Sequence, residues 1–489
     1  MIHNEIYYLL AFYSLLICNL KMNKAVTLIC KMKKICILIL LLFSINLLQA
    51  QFGPQQVIST DALFPRKVAV GDMDGNGTLD VLSAARVTNE LAWYSNESGI
   101  GDFGPLRLIS ESSENNAIVT GDIDGDGDLD IASSSADGDI FFWQENTDGL
   151  GNFGSQQLID TINGAFDINL SDIDNDGDLD ILGGSFETNT LYLYKNDGVG
   201  NFENAMFIGD ANGRSIKTSD IDGDNDLDII VSTTGNIIVG WYENIDGLGN
   251  FGGLQAIGSS NLFTSSISNF PIDIDGDGDI DILSVSLNDT IGFNWYENLD
   301  GLGNFSERNL ISNNENNIWA TYGADLDNDG DTDVLTASPG DNEIAWYENL
   351  DGLGNFGPQQ TITTNAISAR HVIAADIDND GDMDVISASQ NDSKIAWYEN
   401  DPKFVGFSTP DLSIIHLTPN PTTGKLFLLN AENLNDSVWV KLYSITGNLL
   451  ISKEIELPEI DMSAFTSGIY FVELTSVNQR MVKKIIKKT

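Results

Sequence analysis

From residue 51 to residue 400 the chain sets short alternating apolar and polar runs between clusters of Gly, Asn and Asp, and apolar residues never recur at helical spacing. Alternation with period two describes strands that bury one face. One unit shows the order. An alternating stretch starts at Trp319, an acidic loop spans Asp325 to Asp333, a strand covers Val334 to Ala337, and a further stretch runs from Glu343 to Asn349. Asp351-Gly-Leu-Gly-Asn-Phe356 and one more short strand complete it. The first aspartates of the acidic loops are Asp72, Asp122, Asp172, Asp220, Asp273, Asp325 and Asp376, separated by 50, 50, 48, 53, 52 and 51 residues. Four short strands per unit at this period predict seven blades of a β-propeller.

The two ends of the array imply how the ring closes. Phe52 to Ser59 precede the first unit as an unpaired outer strand, and the seventh unit stops at Asn400 without one. The strand near Gln55 to Ser59 is therefore expected to complete the seventh blade and remove an open sheet edge. A second periodic feature is the aromatic strand Leu91-Ala-Trp93-Tyr-Ser-Asn96, which recurs at Trp143, Trp241, Trp295, Trp346 and Trp397, with Leu193 in the third unit. Tryptophans in a row could stack on carbohydrate, but large aromatics on an alternating strand suit blade-to-blade packing better.

Charge changes the picture. The formal net charge is −48, and residues 51 to 411 hold 64 Asp and Glu against 11 Lys and Arg. Such a field repels nucleic acid and anionic membranes and calls for cations. Each loop follows Asp-x-Asp-x-Asp/Asn-Gly-x-x-Asp. The first positions are the seven aspartates named above. The third positions are Asp74, Asp124, Asp174, Asp222, Asp275, Asp327 and Asp378; the fifth are Asn76, Asp126, Asp176, Asp224, Asp277, Asp329 and Asp380. The ninth are Asp80, Asp130, Asp180, Asp228, Asp281, Asp333 and Asp384. Calcium takes six to eight oxygens, and such a loop wraps it if the sixth residue turns sharply, which glycine does without steric cost. Asn225 holds that place in the fourth loop. With 33 carboxylates in seven loops, repulsion would be severe without cations. The expectation is up to seven structural calcium ions, the first loop being the poorest site because Asn76 and Thr78 replace acids.

These loops, with Phe52-Gly53, Phe103-Gly104, Phe153-Gly154, Phe251-Gly252 and Phe356-Gly357, resemble the FG-GAP or VCBS repeats of integrin α-type propellers over about residues 51–401. Phe202-Glu203 and Phe305-Ser306 depart from the pattern, which should weaken those turns. The resemblance implies calcium in the loop between the first two strands of each blade and ligands on the opposite face. There, six residues before each loop, lie Arg66, Asn116, Phe166, Arg214, Ile267, Trp319 and Arg370. Arg66, Lys67, Arg214, Trp319, Arg370 and His371 are the candidate ligand-binding residues, for an anionic glycan or an acidic protein segment.

Residues 1–50 have the make-up of a signal peptide region: Lys33 and Lys34, an apolar run from Ile35 to Leu48, then Gln49-Ala50. A start at Met22 or Met32 would account for the apolar stretch from Tyr7 to Leu20. Cys18, Cys30 and Cys36, the only cysteines, all lie in this region, so a mature chain from Gln51 would have no disulfide and no thiol chemistry. The mature chain is expected to lack a transmembrane helix, since the run is shorter than a span requires. After a linker over 402–411, residues 412–489 carry Pro419-Asn-Pro421-Thr-Thr-Gly424, Gly468-Ile-Tyr-Phe-Val472 and a basic end, Lys483-Lys-Ile-Ile-Lys487-Lys488. This segment resembles the C-terminal sorting domain of type IX secretion. The resemblance implies a small β-sandwich, export by Sec, recognition by the type IX machinery, and release or attachment at the outer cell surface. The fold class is thus all-β, a seven-bladed propeller followed by a β-sandwich. The favoured function is a secreted or surface binding and adhesion module. The alternatives are a lyase-like polysaccharide enzyme, for which no nucleophile motif is present, or a docking subunit of a surface complex.

Overall fold

The computed structural model describes residues 52–111, 115–233, 237–259, 266–286, 292–312 and 317–400, and, further on, 416–418, 422–429, 439–444, 449–454, 459–475 and 480–488. The signal region, its cysteines and the linker over 402–411 lie outside the described residues. The chain divides into two compact units, Ala50–Pro402 and one that contains Lys403–Thr489.

The first unit is a ring of seven four-stranded antiparallel sheets. After a short strand β1 (Gln56–Ser59), the first blade runs through β2 (Pro65–Gly71), β3 (Asp80–Ala85), β4 (Glu90–Tyr94) and β5 (Arg107–Glu111), in that spatial order. Five further blades repeat this meander. The seventh has only three strands of its own, Ala369–Ala375, Asp384–Ser389 and Lys394–Tyr398, and β1 supplies the fourth. Gln56 stands opposite Trp397 and Val57 opposite Ala396. The ring therefore closes as the unpaired ends of the array imply.

Packing between blades explains the composition of the strands. The second strand of each blade, such as β3, is buried at every position because a neighbouring blade covers each face. It accordingly uses small residues such as Ala84, Ser133, Gly183 and Gly184. Across the closure, Val68, Val81 and Tyr94 of the first blade share one cluster with Ile386, Ile395 and Trp397 of the seventh. The six repeated tryptophans are no more than 5% exposed. They serve packing, and five of them meet a glycine of the next blade. Gly151, at φ 75°, lies so close to Trp93 that an added Cβ would fall 2.1 Å from the indole, and Gly303, at φ 76°, faces Trp241 in the same way. Where Leu193 replaces tryptophan, Gly249 has more room, with its nearest atom at 3.1 Å.

The turns without the Phe-Gly pair are formed like the others, contrary to the sequence expectation. Gly154 N donates to Glu145 O at 2.8 Å, while Glu203 N donates to Lys195 O and Ser306 N to Glu297 O, both at 2.7 Å. Gly154 is not among the glycines with positive φ. A side chain is tolerated there, so the pair is not required for the turn.

The second unit has a three-stranded sheet (His416–Thr418, Lys425–Leu429, Glu459–Asp461) and a four-stranded one (Leu449–Glu454, Trp439–Ser444, Gly468–Thr475, Arg480–Lys487). Leu426, Val440, Leu442, Ile460, Val472 and Ile485 fill its core, as in a small β-sandwich. Among the described residues no helix is long and apolar enough to cross a membrane.

Candidate functional site

Two places concentrate functional groups, at opposite ends of the innermost strands. At one end are the acidic loops. In the second loop, Asp122 Oδ1 accepts from Gly125 N at 2.8 Å and its Oδ2 from Gly127 N at 3.1 Å, which curls the backbone around the carboxylate. Asp126 Oδ1 accepts from Asp128 N at 3.0 Å. The sixth residue is left-handed throughout, at φ 96° for Gly127 and 71° for Asn225. The ninth residue is buried: Asp130 Oδ2 accepts from Ile123 N at 3.0 Å and Oδ1 from Asn146 N at 2.8 Å. Burial raises these ninth-position carboxyls, to about 6 for Asp80 and Asp130 and to about 7 for Asp180, Asp228, Asp281, Asp333 and Asp384.

The third position carries the clearest sign of a cation site. Oδ1 of Asp74, Asp124, Asp174, Asp222, Asp275 and Asp378 is buried without a hydrogen-bond partner. Oxygens from the first, third and ninth residues, as in Asp122, Asp124 and Asp130, lie within 4.8 Å of one another. An unpartnered carboxylate oxygen among convergent oxygens fits a hard divalent cation. These residues could hold metal ions.

Sequence reasoning missed one contributor. Glu145 joins Asp124 and Asp126 in such a group; burial chiefly raises the third-position carboxyls, and after the neighbouring aspartates the charges of Glu243, Glu297, Glu348 and Glu399 add to the rise in their own blades. The signal was present in the recurring Trp-Tyr-Glu-Asn. The first blade has Ser95 there, whose hydroxyl donates to Asp74 Oδ2 at 3.0 Å. The third has Lys195, whose ammonium sits 2.9 Å from Asp174 Oδ2 and donates to Leu248 O of the fourth blade at 2.7 Å.

The asparagine after that residue ties the ring together. Asn146 Nδ2 donates to Met73 O of the preceding blade at 2.9 Å, and Asn96, Asn196, Asn244, Asn298, Asn349 and Asn400 make the same bond at 2.6 to 2.9 Å. Each acceptor is the carbonyl of a loop's second residue. The acidic loops are thus coupled to the joints between blades.

At the other end of the inner strands is a cavity of about 380 Å³. Arg66, Lys67, Arg214, Trp319, Arg370 and His371 all line it, from blades one, four, six and seven, together with Asn116, Phe166, Asp167, Lys217 and Tyr322. The structure commits several of them to one another. Arg66 Nη1 donates to Asn116 Oδ1 at 2.9 Å, and Lys67 Nζ lies 2.7 Å from Asp167 Oδ1. The Arg370 guanidinium sits 3.7 Å over the Trp319 ring and Arg214 lies 4.2 Å over Phe186. One face of Trp319 is therefore occupied by arginine. His371 Nδ1 accepts from Val68 N at 3.4 Å, and burial next to Lys67 and Lys217 holds its pKa well below the usual range, so the ring is neutral. Burial, with Lys67 nearby, lowers Lys217 to about 8. Asp167 was missed because it is the one acid among the inner-strand starts, visible only once ring closure sets it against Lys67.

Comparison with known proteins fits this architecture. The FG-GAP-like repeat matches at residues 72–133, 122–183, 172–231, 220–284, 273–336, 325–387 and 376–426, and the secretion system C-terminal sorting domain at 416–488. No curated protein matches the chain in sequence. Among solved structures, an Agrocybe aegerita lectin described as recognising non-reducing terminal N-acetylglucosamine is 20% identical, over 67% of this chain and 87% of that one, at a TM-score of 0.48. A rhamnogalacturonan lyase from Bacillus licheniformis is 13% identical over 72% and 76%, at 0.41. PorZ, a surface component of the type IX secretion system of Porphyromonas gingivalis, is 14% identical over 86% and 60%, at 0.39. All three likenesses are distant, and none says what this chain binds. Seven successive matches span residues 72–426, more than half of the sequence, so the chain belongs to the FG-GAP-like repeat family and carries a type IX secretion sorting domain at its C-terminal end.

Proposed function

We propose that this chain is a secreted or surface-attached binding module whose ligand is anionic and sits in the cavity at the mouth of the ring. One observation carries the reading. In a chain of net charge −48, five Lys and Arg residues line a single cavity against one carboxylate, Asp167. A concavity lined by cations focuses the field on anions even within an acidic protein. Arginines stacked on Trp319 and Phe186 are held in place, which lowers the entropic cost of bidentate contacts to a carboxylate or sulfate. The occupant is a glycan or an acidic protein segment.

Calcium serves as the structural cation of the loops, through the first, third, fifth and ninth residues and, in five blades, the neighbouring glutamate. A signal peptide over residues 1–50 and the sorting domain over 412–489 deliver the propeller through Sec and the type IX machinery. The double substitution Arg66→Gln/Arg370→Gln, screened against charged polysaccharides and acidic peptides, tests the site. Loss of retention is expected, and undiminished binding rejects the site. Following the same incubations for unsaturated sugar products separates retention from lyase activity.

A further inference from the structure

Beneath the arginines the cavity has a second level, three residues before each acidic loop. Here Ala69, Val119, Phe270, Tyr322 and Ile373 form a mainly apolar collar, with the Phe270 and Tyr322 rings 4.5 Å apart. Lys217 rises from the same level on the strand Ile216–Ser219, with Asn169 at the equivalent place in the preceding blade. Its ammonium makes no hydrogen bond or ion pair with any described residue. The one carboxylate lining the cavity is already engaged: Asp167 Oδ1 is 2.7 Å from Lys67 Nζ, and its Oδ2 accepts from Ile216 N at 3.0 Å. An ammonium set in an apolar collar beside a second lysine, with no anion of its own, is costly unless a ligand supplies one.

The walls above the collar indicate what kind of ligand. Asn116, Ser215, Ser268 and Thr321 line them with neutral amides and hydroxyls drawn from four blades. Such groups, spread around a ring, match the hydroxyls of a sugar better than the main chain of a peptide. No residue of the acidic loops lines the cavity, so it stops short of the metal face. Its volume of about 380 Å³ is at the small end for ligand pockets, enough for a chain end and too little for a polymer passing through.

We propose that Lys217 is the floor of a carboxylate subsite that receives the terminal sugar acid of a glycan end-on, with Lys67 beside it and the arginines gripping the following residue at the rim. The inference rests on the reading of the cavity as an anion site and specifies its depth, polarity and ligand class. A bound carboxylate also favours the protonated amine, so ligand binding and Lys217 protonation strengthen each other.

The test is calorimetric titration of the full-length protein with digalacturonate and N-acetylneuraminate, the two sources of a sugar carboxylate, and with galactobiose, inorganic sulfate and an acidic tripeptide as comparators. At least one sugar acid is expected to bind ten times more tightly than galactobiose, sulfate or the tripeptide. Lys217→Met should reduce that affinity at least tenfold without lowering the thermal midpoint, and Lys217→Arg should stay within about threefold of the original. If Arg66→Gln/Arg370→Gln abolishes binding while Lys217→Met leaves it unchanged, the anion site stands and its floor is overturned. Equal binding of the tripeptide overturns the sugar acid as ligand, and failure of both sugar acids to bind overturns the proposal.

Discussion

The asparagine ties offer a quantitative test of how the ring is held. Asn349 is fully buried; its Nδ2 donates to Ile274 O of the preceding blade at 2.8 Å and to Thr332 O at 3.2 Å, and its Oδ1 accepts from Gly354 N at 3.1 Å. Asn349→Ala leaves two carbonyls and one N–H without these partners, while the backbone bond from Asn349 N to Asp333 Oδ1 survives. At about 1 kcal/mol for each bond, with a desolvation penalty for groups left buried, the loss is about 2–4 kcal/mol. Asn355→Ala is the control. It removes an exposed bond to Asp351 Oδ2 at 2.9 Å and should cost less than about 1 kcal/mol. Urea unfolding followed by tryptophan fluorescence at saturating calcium measures both. Asn349→Ala should move the midpoint to lower urea with the slope unchanged, since the same surface is exposed on unfolding. Equal effects of the two substitutions would refute the inter-blade tie, because the buried and exposed bonds would then be energetically alike.

Calcium removal should act through the carboxyls that burial raises. Groups whose folded pKa lies near 6 to 7, above the ordinary 3.8, stabilise the metal-free protein below pH 4 and lose that contribution as pH rises through 7. The melting temperature of chelated protein should therefore fall between pH 4 and 7, while the gain on adding calcium grows over the same range; a gain independent of pH counts against ligation by these residues. Lys195→Glu gives the third blade the acid found in five others and should add one tight equivalent of bound calcium, measured by equilibrium titration; unchanged stoichiometry rejects the ammonium as an internal counter-ion. Deleting residues 52–59 removes β1 and the edge contact of Phe52 with Trp346, whose rings lie 6.1 Å apart. A single unfolding transition at markedly lower temperature is expected, and an unaltered midpoint would show that closure does not hold the array.

Much of the fold was legible in the sequence because each blade is built from local interactions. The acidic loop folds on its own carboxylates, as where Asp122 receives Gly125 and Gly127, all within six residues. Turn chemistry and strand alternation of this kind repeat visibly, and the unpaired strands at the two ends of the array announce closure. The ligand candidates were half legible. Register placed Arg66, Arg214, Trp319 and Arg370 at one level, but could not show that Arg370 would cover Trp319 or that Asp167 would neutralise Lys67.

What only the tertiary structure decided are the contacts made across blades. Asn146 reaches Met73 over 73 residues and Asn96 reaches Ile377 over 281, and neither spacing leaves a trace in a local pattern. The acidic loop was read from the sequence as a self-contained metal site. The ring joins it to a neighbouring strand's glutamate and, through the asparagine, to the blade before it. At the other end, Lys67, Lys217 and His371 come together only because closure carries residues 150 and 304 positions apart to one axis. Repetition makes the blades alike, and the circle they close sets their differences face to face.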